Sequence, residues 1–293
     1  MNHIRKFQAT PKTIYPLTDA DFQDNRETAV YWLSSAGVFI NCHGTTIMVD
    51  PNIALMSENP PISEVQGMEQ LTMPPIMGTD VRKLDAVLIT HADLDHLGIK
   101  SVINLLPSGC IFHGTNYVCN DLVRLGVPSN RVCKHPPKDR FKIGCVEVQM
   151  TAAYHPWQQD QQKFNNYLYK LEDCTGYKFY TPDGVVWDPG DSLLLDEHFD
   201  NKDVDLMFID FGDDSHDPVS TYHFGRPQAI RLADSMPDTD LIMFHWGTFY
   251  APDYSWCNCN PEDVKPLLAH PERFLDYCPG QKYILKSRKS NSI

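Results

Sequence analysis

Apolar residues along the chain alternate between two spacings. Residues 86–90 form a continuous apolar, β-branched run typical of a buried strand, and the apolar positions over 99–106 then repeat at the spacing of a helix. Similar apolar runs predict further strands over 30–33, 38–40, 45–49, 110–112, 145–150, 178–180, 185–187, 206–211 and 241–244. Helical spacing predicts further helices over 116–125 and 227–236. Strands that alternate with helices predict a layered α/β fold.

The domain organisation follows from the same pattern. Residues 1–28 are polar and irregular, so we expect an N-terminal extension followed by a single domain over 29–293. No repeat or linker divides that domain. Residues 52–80 are rich in Pro and Met, which is typical of a long loop. We interpret 52–78 as the border of a substrate entrance, and a simple surface excursion is the alternative.

Composition and charge narrow the classes of partner and compartment. The 38 acidic residues outnumber the 25 basic ones, which gives a formal net charge of −13 and disfavours nucleic acid or an anionic membrane surface. A small-molecule substrate and metal cations are the better partners, and a homo-oligomer stays open. The nine scattered cysteines indicate reduced thiols. Without a signal-peptide pattern or an apolar stretch of roughly 18 residues, the sequence predicts a cytoplasmic protein.

Side chains that bind metal ions occur where predicted strands end. Residues 91–96 read His-Ala-Asp-Leu-Asp-His and directly follow a buried strand, and His155, Asp191 and His245 each follow another strand. A single histidine or aspartate in such a place is more often structural. Two histidines and two aspartates within 91–96 are different, because half-burying them is costly without a cation. The cluster therefore predicts a divalent metal site.

This pattern resembles the metallo-β-lactamase superfamily. The superfamily signature His-x-His-x-Asp-His is similar to residues 91–96, with Asp93 in place of the second histidine. The resemblance continues through a hairpin that closes on Val49-Asp50-Pro51 and a Gly-Asp-Ser turn at 190–192. Within the superfamily the chain is similar to the L-ascorbate-6-phosphate lactonase-like branch, through residues 85–91, 125–132, 189–192 and 244–249.

The resemblance implies a four-layer αββα sandwich with a dinuclear site in the cleft between its two β-sheets. It implies one cation held by His91, Asp93 and His155, a second held by Asp95, His96 and His245, and Asp191 as the bridge. The cofactors would be two divalent metal ions, Mn or Zn, with Fe possible. Asp93 favours the harder cations, because a carboxylate is a hard oxygen donor.

Two adjacent cations would lower the pKa of a shared water and polarise a carbonyl or phosphoryl oxygen. We therefore expect hydrolysis through attack of a metal-bound hydroxide. Asp95 or a metal-bound water would return a proton to the leaving group. We therefore predict two catalytic carboxylates, Asp95 as the proton carrier and Asp191 as the bridge. No Gly-x-Ser-x-Gly motif suggests a serine nucleophile instead.

Candidates for contact with the substrate lie next to the metal ligands or in the loop after strand 206–211; they are Tyr154, His216, His223 and Trp246. The alternative for both histidines is a solvated loop position, and for Trp246 it is packing in the core. We expect a metal-dependent hydrolase of a small molecule, with a lactone or another cyclic ester favoured by the branch resemblance. A phosphodiesterase, a diiron redox or oxygen-binding protein and a non-catalytic metal-binding protein are the alternatives.

Overall fold

The computed structural model describes residues 9–24, 26–58, 69–156, 170–212, 223–250 and 259–287. Its strands are β1 Thr28–Ser34, β2 Gly37–Cys42, β3 Thr45–Val49, β4 Glu69–Gln70, β5 Ala86–Leu88, β6 Ile111–Gly114, β7 Val132–Lys134, β8 Arg140–Ile143, β9 Val146–Thr151, β10 Gly176–Thr181, β11 Gly184–Asp188, β12 Leu206–Ile209, β13 Asp240–Met243, β14 Phe249–Tyr250, β15 Phe274–Leu275 and β16 Tyr283–Ile284. Its α-helices are α1 Ile99–Leu105, α2 Asn116–Arg124, α3 Arg226–Asp234 and the short α4 Pro261–Val264.

Two sheets of seven strands form the centre of the fold. The strand order is β16-β1-β2-β3-β5-β6-β7 in the first sheet and β15-β13-β12-β11-β10-β9-β8 in the second. In the first sheet β1, β2 and β3 are antiparallel neighbours, and β3, β5, β6 and β7 then run parallel. In the second sheet β11, β12 and β13 run parallel. The predicted alternation of strands and helices corresponds to these parallel parts.

Alternate side chains of β1 belong to two separate cores. Val30 and Trp32 lie in a buried cluster shared with the second sheet, whereas Tyr31 and Leu33 lie in a cluster shared with α1 and α2. The helix α3 connects the parallel neighbours β12 and β13, and Ala229 of α3 packs into the first of these clusters. Helices therefore cover the outer faces of two packed sheets, and the predicted four-layer αββα sandwich is confirmed.

The fold brings several strand ends to one edge of the sandwich. The strands β5, β11, β12 and β13 all end there, and the residues that follow them carry the candidate ligands. Part of the predicted long loop lies at this edge as well, because β4 pairs with β14 and Thr72 Oγ1 donates a hydrogen bond to the Gly247 carbonyl over 2.6 Å. That contact is compatible with an entrance role, which stays a prediction.

Residues 9–24 pack along the domain. The Tyr15 amide donates to the Pro279 carbonyl over 2.9 Å, and Leu17 is buried. The division into an extension and one domain stays a prediction. No helix within the described ranges is long and apolar enough to cross a bilayer.

Candidate metal centre

A tight turn arranges the signature residues after β5. The amides of His96 and Leu97 donate to the Asp93 carbonyl over 3.0 and 2.7 Å, and α1 begins shortly afterwards at Ile99. The turn therefore folds back on itself within residues 91–96 and directs polar side chains into the cleft between the sheets. His91 and His96 are fully buried there, and their ring centroids are 4.0 Å apart.

We call His91, Asp93 and His155 the first triad. Asp93 Oδ2 lies 3.1 Å from His155 Nε2 and 3.4 Å from His91 Nε2. The two rings meet edge to face, with centroids 4.9 Å apart. His155 comes from the segment that follows β9, so the first triad joins the two sheets.

We call Asp95, His96 and His245 the second triad. The Nε2 atoms of His96 and His245 are 3.0 Å apart. Asp95 Oδ2 lies 3.8 Å from the first of these atoms and 4.0 Å from the second. His245 has a φ of 65°, an uncommon conformation for a histidine that is held by a hydrogen bond from its amide to the Ser35 carbonyl over 2.9 Å.

Asp191 lies between the two triads. Its Oδ2 atom is 3.1 Å from His96 Nε2 and 3.9 Å from His91 Nε2, and its Oδ1 atom is 3.4 Å from His245 Nε2. The structure thus brings together all seven residues that were predicted as ligands from the sequence and the family resemblance. Their coordination of a metal stays a prediction.

These side chains fit divalent cations. Within the described residues, His91 Nε2 and Asp191 Oδ1 are buried and have no hydrogen-bond partner, which is costly unless a ligand completes them. The ligand atoms of the groups His91, His155, Asp191 and Asp95, His96, His245 each lie within 4.8 Å of one another. Imidazole nitrogen and carboxylate oxygen are donors that Zn²⁺, Mn²⁺ and Fe²⁺ accept.

Asp50 and Thr90 fix the orientation of two imidazoles. His96 Nδ1 donates to Asp50 Oδ2 over 2.7 Å, and Thr90 Oγ1 donates to the same oxygen over 2.5 Å. His91 Nδ1 in turn donates to Thr90 Oγ1 over 3.0 Å. With each Nδ1 used as a donor, the Nε2 atoms of both rings face the centre as acceptors, which is the tautomer that binds a metal. This role of Asp50 was not predicted from the sequence.

The charges of the cluster prepare it for a cation. Burial raises the pKa of Asp191, but His96, His245 and His223 outweigh it and hold that pKa well below its ordinary value. Burial and the nearby His96 lower the pKa of His91, which keeps this ring neutral. Burial would lower the pKa of His96 as well, yet Asp191, Asp95 and Asp50 raise it well above the ordinary value. A bound cation would take the place of that proton.

Asp210 and His223 border the centre beside both triads. His223 Nδ1 lies 3.1 Å from Asp210 Oδ2 and 3.6 Å from Asp191 Oδ2. Its ring is 4.9 Å from that of His155 and 6.2 Å from that of His245. Burial lowers the pKa of His223, but Asp191 and Asp210 raise it to about 9. His223 was predicted near the substrate, whereas Asp210 was missed.

The remaining predicted residues have different positions. The Tyr154 amide donates to Ser192 Oγ over 2.9 Å and ties the segment before His155 to the turn that carries Asp191. The Trp246 ring stacks on Trp32 with centroids 5.6 Å apart and is 8% exposed, which favours core packing over contact with a substrate. His216 lies outside the described residues. Contact between Tyr154 and a substrate stays a prediction.

A sequence profile described as "Beta-lactamase superfamily domain" matches residues 45–246. The chain belongs to the β-lactamase superfamily. The curated relatives of this superfamily protein include the "Probable L-ascorbate-6-phosphate lactonase UlaG" of Escherichia coli, which is 24% identical over 271 residues, 82% of this chain and 73% of that protein.

Solved structures share the fold of this β-lactamase superfamily protein. Igni18, described as a metallo hydrolase from Ignicoccus hospitalis, aligns with a TM-score of 0.63 at 17% identity over 88% of this chain and 98% of that one. CmlA, a diiron β-hydroxylase from Streptomyces venezuelae, aligns with a TM-score of 0.59 at 16% identity over 85% and 51%. The predicted metallo-β-lactamase fold is thereby confirmed, and superfamily membership supports a metal-using hydrolase.

Proposed function

We propose that this protein is a dinuclear metal-dependent hydrolase that opens a lactone or another cyclic ester of a small molecule. The convergence of the two triads on Asp191, within a centre where His91 Nε2 has no hydrogen-bond partner in the described residues, carries the hydrolase part of the proposal. The printed name of the UlaG relative supports the lactone part. The first triad would hold one cation and the second triad the other.

Bound divalent cations would supply Lewis acidity, which lowers the pKa of water and polarises an ester carbonyl. The side chains of the chain create the conditions for this chemistry. Asp191 places one negative charge between the triads and so reduces the repulsion between two cations. Asp50 and Thr90 hold His96 and His91 in the ligand tautomer, so no reorganisation of these rings is needed.

Asp95 is the residue best placed to move a proton. Its side chain is 39% exposed, compared with 19% for Asp93 and 3% for Asp191. A carboxylate at the open side of the centre can accept a proton from an attacking water and return it to the leaving alkoxide. In a lactone the alkoxide remains part of the product, so a single hydroxy acid leaves the site.

A diiron redox protein is the second candidate. The centre holds three carboxylates, Asp93, Asp95 and Asp191, and carboxylate-rich sites suit iron better than sites made of imidazole alone do. The diiron enzyme CmlA shares the fold. Oxygen consumption therefore has to be measured beside hydrolysis.

One experiment separates these functions. Metal-free protein is reconstituted with Mn²⁺, Zn²⁺ or Fe²⁺ and assayed against phosphorylated and unphosphorylated lactones, a phosphodiester, and oxygen uptake with a reductant. His91→Ala removes a first-triad ligand, and His135→Ala, which changes a histidine outside the centre that pairs with Asp139 over 2.8 Å, is the matched control. We expect metal-dependent lactone hydrolysis in the wild type and the control only. Phosphodiester turnover without lactone turnover would show a phosphodiesterase instead, and oxygen uptake without lactone turnover would show a redox protein.

A further inference from the structure

Two cysteines from different sheets touch at the end of the sandwich opposite the metal centre. Cys42 is the last residue of β2, and Cys145 lies in the turn between β8 and β9. Their Sγ atoms are 3.4 Å apart, although 103 positions separate them in the sequence. The strand β2 runs antiparallel to β3, which leads to Asp50, so Cys42 lies at the far end of the first sheet.

The two thiols have different surroundings. Cys42 is buried, whereas Cys145 is exposed. Thr28 Oγ1 lies 3.3 Å from Cys42 Sγ and 2.7 Å from Asp183 Oδ2, so a polar network surrounds the buried sulfur. Burial and the neighbouring Cys145 raise the pKa of Cys42 to about 12. Cys145 is therefore the thiol that a reagent reaches first, and Cys42 stays a protonated thiol next to it.

We propose that Cys42 and Cys145 form an oxidation site, at which a low-molecular-weight disulfide converts the pair to an intramolecular disulfide joining the two sheets. In the first step the Cys145 thiolate attacks one sulfur of the reagent, and one small thiolate leaves. In the second step Cys42 loses its proton and its sulfur attacks Cys145 Sγ. The second small thiolate leaves and takes up that proton. Two protein thiols are oxidised, and one reagent disulfide is reduced to two thiols.

The surroundings allow the sulfurs to approach each other. A disulfide requires a sulfur separation of roughly 2.05 Å, and rotation of the exposed Cys145 side chain would supply the shift. Cys145 Sγ contacts the Cys42 carbonyl at 3.2 Å and Thr45 Oγ1 at 3.4 Å, and the Cys145 amide donates to Thr45 Oγ1 over 3.3 Å. The bond would close a loop of about 100 residues, which stabilises the fold by restricting the unfolded chain. The metal centre lies at the other end, so hydrolysis should not change.

The test uses the full chain incubated with glutathione disulfide and then mapped by mass spectrometry under non-reducing conditions. Cys145→Ser removes the attacking thiol, and Cys133→Ser, which changes another exposed cysteine, is the matched control. We expect a cross-linked peptide of Cys42 and Cys145 in the wild type and in Cys133→Ser. Both should gain about 5 to 10 °C in Tm on oxidation, and Cys145→Ser should gain nothing.

Cys42→Ala provides a second test if the serine variant folds poorly. In this variant Cys145 should stop at the stable mixed disulfide with glutathione, because the thiol that resolves it is missing. A mixed disulfide that persists at Cys145 of the wild type would overturn the proposal. So would a Cys145 that reacts no faster than Cys133 and yields no cross-link.

Discussion

The two triads have the same composition, two imidazoles and one carboxylate, but the groups behind them differ. In the second triad, the carboxylate of Asp50 accepts directly from His96 at 2.7 Å. In the first triad, the neutral Thr90 hydroxyl accepts from His91 at 3.0 Å. A carboxylate makes the imidazole that it accepts from a stronger ligand than a hydroxyl does. Triads of equal composition should therefore bind their cations unequally, with the second triad the tighter.

The largest effect is expected at Asp191, which lies between the two triads. Asp191→Asn should weaken both cation sites and reduce hydrolysis by roughly 10³-fold or more, because the neutral amide no longer offsets two cations. Metal content and kcat measured on the same samples check this. Asp188→Asn, a change at the end of β11 three positions before Asp191, is the matched control and should keep both metals. If Asp191→Asn retained two tightly bound metals and full activity, the bridge would be wrong.

The next effect separates the triads. Asp50→Asn should weaken the cation of the second triad by about 10- to 100-fold and change the first triad much less, because it removes the carboxylate behind His96. Calorimetric titration of the metal-free protein measures the two affinities. Thr90→Ser keeps the hydroxyl between Asp50 and His91 and should resemble the wild type. If Asp50→Asn weakened both cation sites equally, the expected difference in affinity between the two triads would be wrong.

Asp188 provides a pH-dependent prediction. Burial and the nearby Asp50 raise the pKa of Asp188 from 3.8 to about 8, and its Oδ1 atom accepts from the Gly190 amide over 2.9 Å. Between these pH values the folded protein keeps a proton that the unfolded chain has lost, so stability falls as pH rises. Metal-free wild type should lose about 2 kcal/mol more unfolding free energy than Asp188→Asn between about pH 6 and 8. If the unfolding free energy, measured in urea, fell equally in the wild type and Asp188→Asn between these pH values, the raised pKa of Asp188 would be wrong.

The smallest effect concerns the choice of metal in the first triad. Asp93→His replaces a hard oxygen donor by an imidazole, so the ratio of Mn²⁺ to Zn²⁺ activity should fall several-fold. The measurement compares metal-free wild type and variant after reconstitution with each ion. Asp95→His makes the same exchange in the second triad and shows whether the effect depends on the position. An unchanged ratio in Asp93→His would mean that Asp93 does not select the metal.

The sequence predicts most of the regular structure because the buried strands and helices carry clear periodicity. The helix predicted over 99–106 is α1 Ile99–Leu105, and the helix predicted over 227–236 is α3 Arg226–Asp234. The edge strands escaped prediction because they are short and partly polar. β7 covers only Val132–Lys134, and β16 covers Tyr283–Ile284. Such strands depend on pairing with distant segments rather than on their own pattern.

The candidate site was predictable where its residues cluster in the sequence. Residues 91–96 combine four potential ligands, whereas His155, Asp191 and His245 each stand alone after a separate strand and received their ligand roles through the resemblance. Asp210 was missed because the predicted strand 206–211 runs through it, whereas β12 ends at Ile209. The available signal was its position: like Asp50, it directly follows a strand whose end lies at the edge of the centre. Asp210 lies near the centre only because β12 pairs in parallel with β11 and β13, which lead to Asp191 and His245.

We expect the two triads to hold two cations, with Asp191 between them, and the two cations together to support hydrolysis. Titration of the metal-free protein with Mn²⁺, followed by electron paramagnetic resonance and by lactone hydrolysis on the same samples, tests it most directly. We predict that two Mn²⁺ ions bind per chain, that the second ion produces a spin-coupled signal, and that activity rises with that signal. Binding of a single ion, or of two uncoupled ions with full activity after the first, would contradict a dinuclear centre.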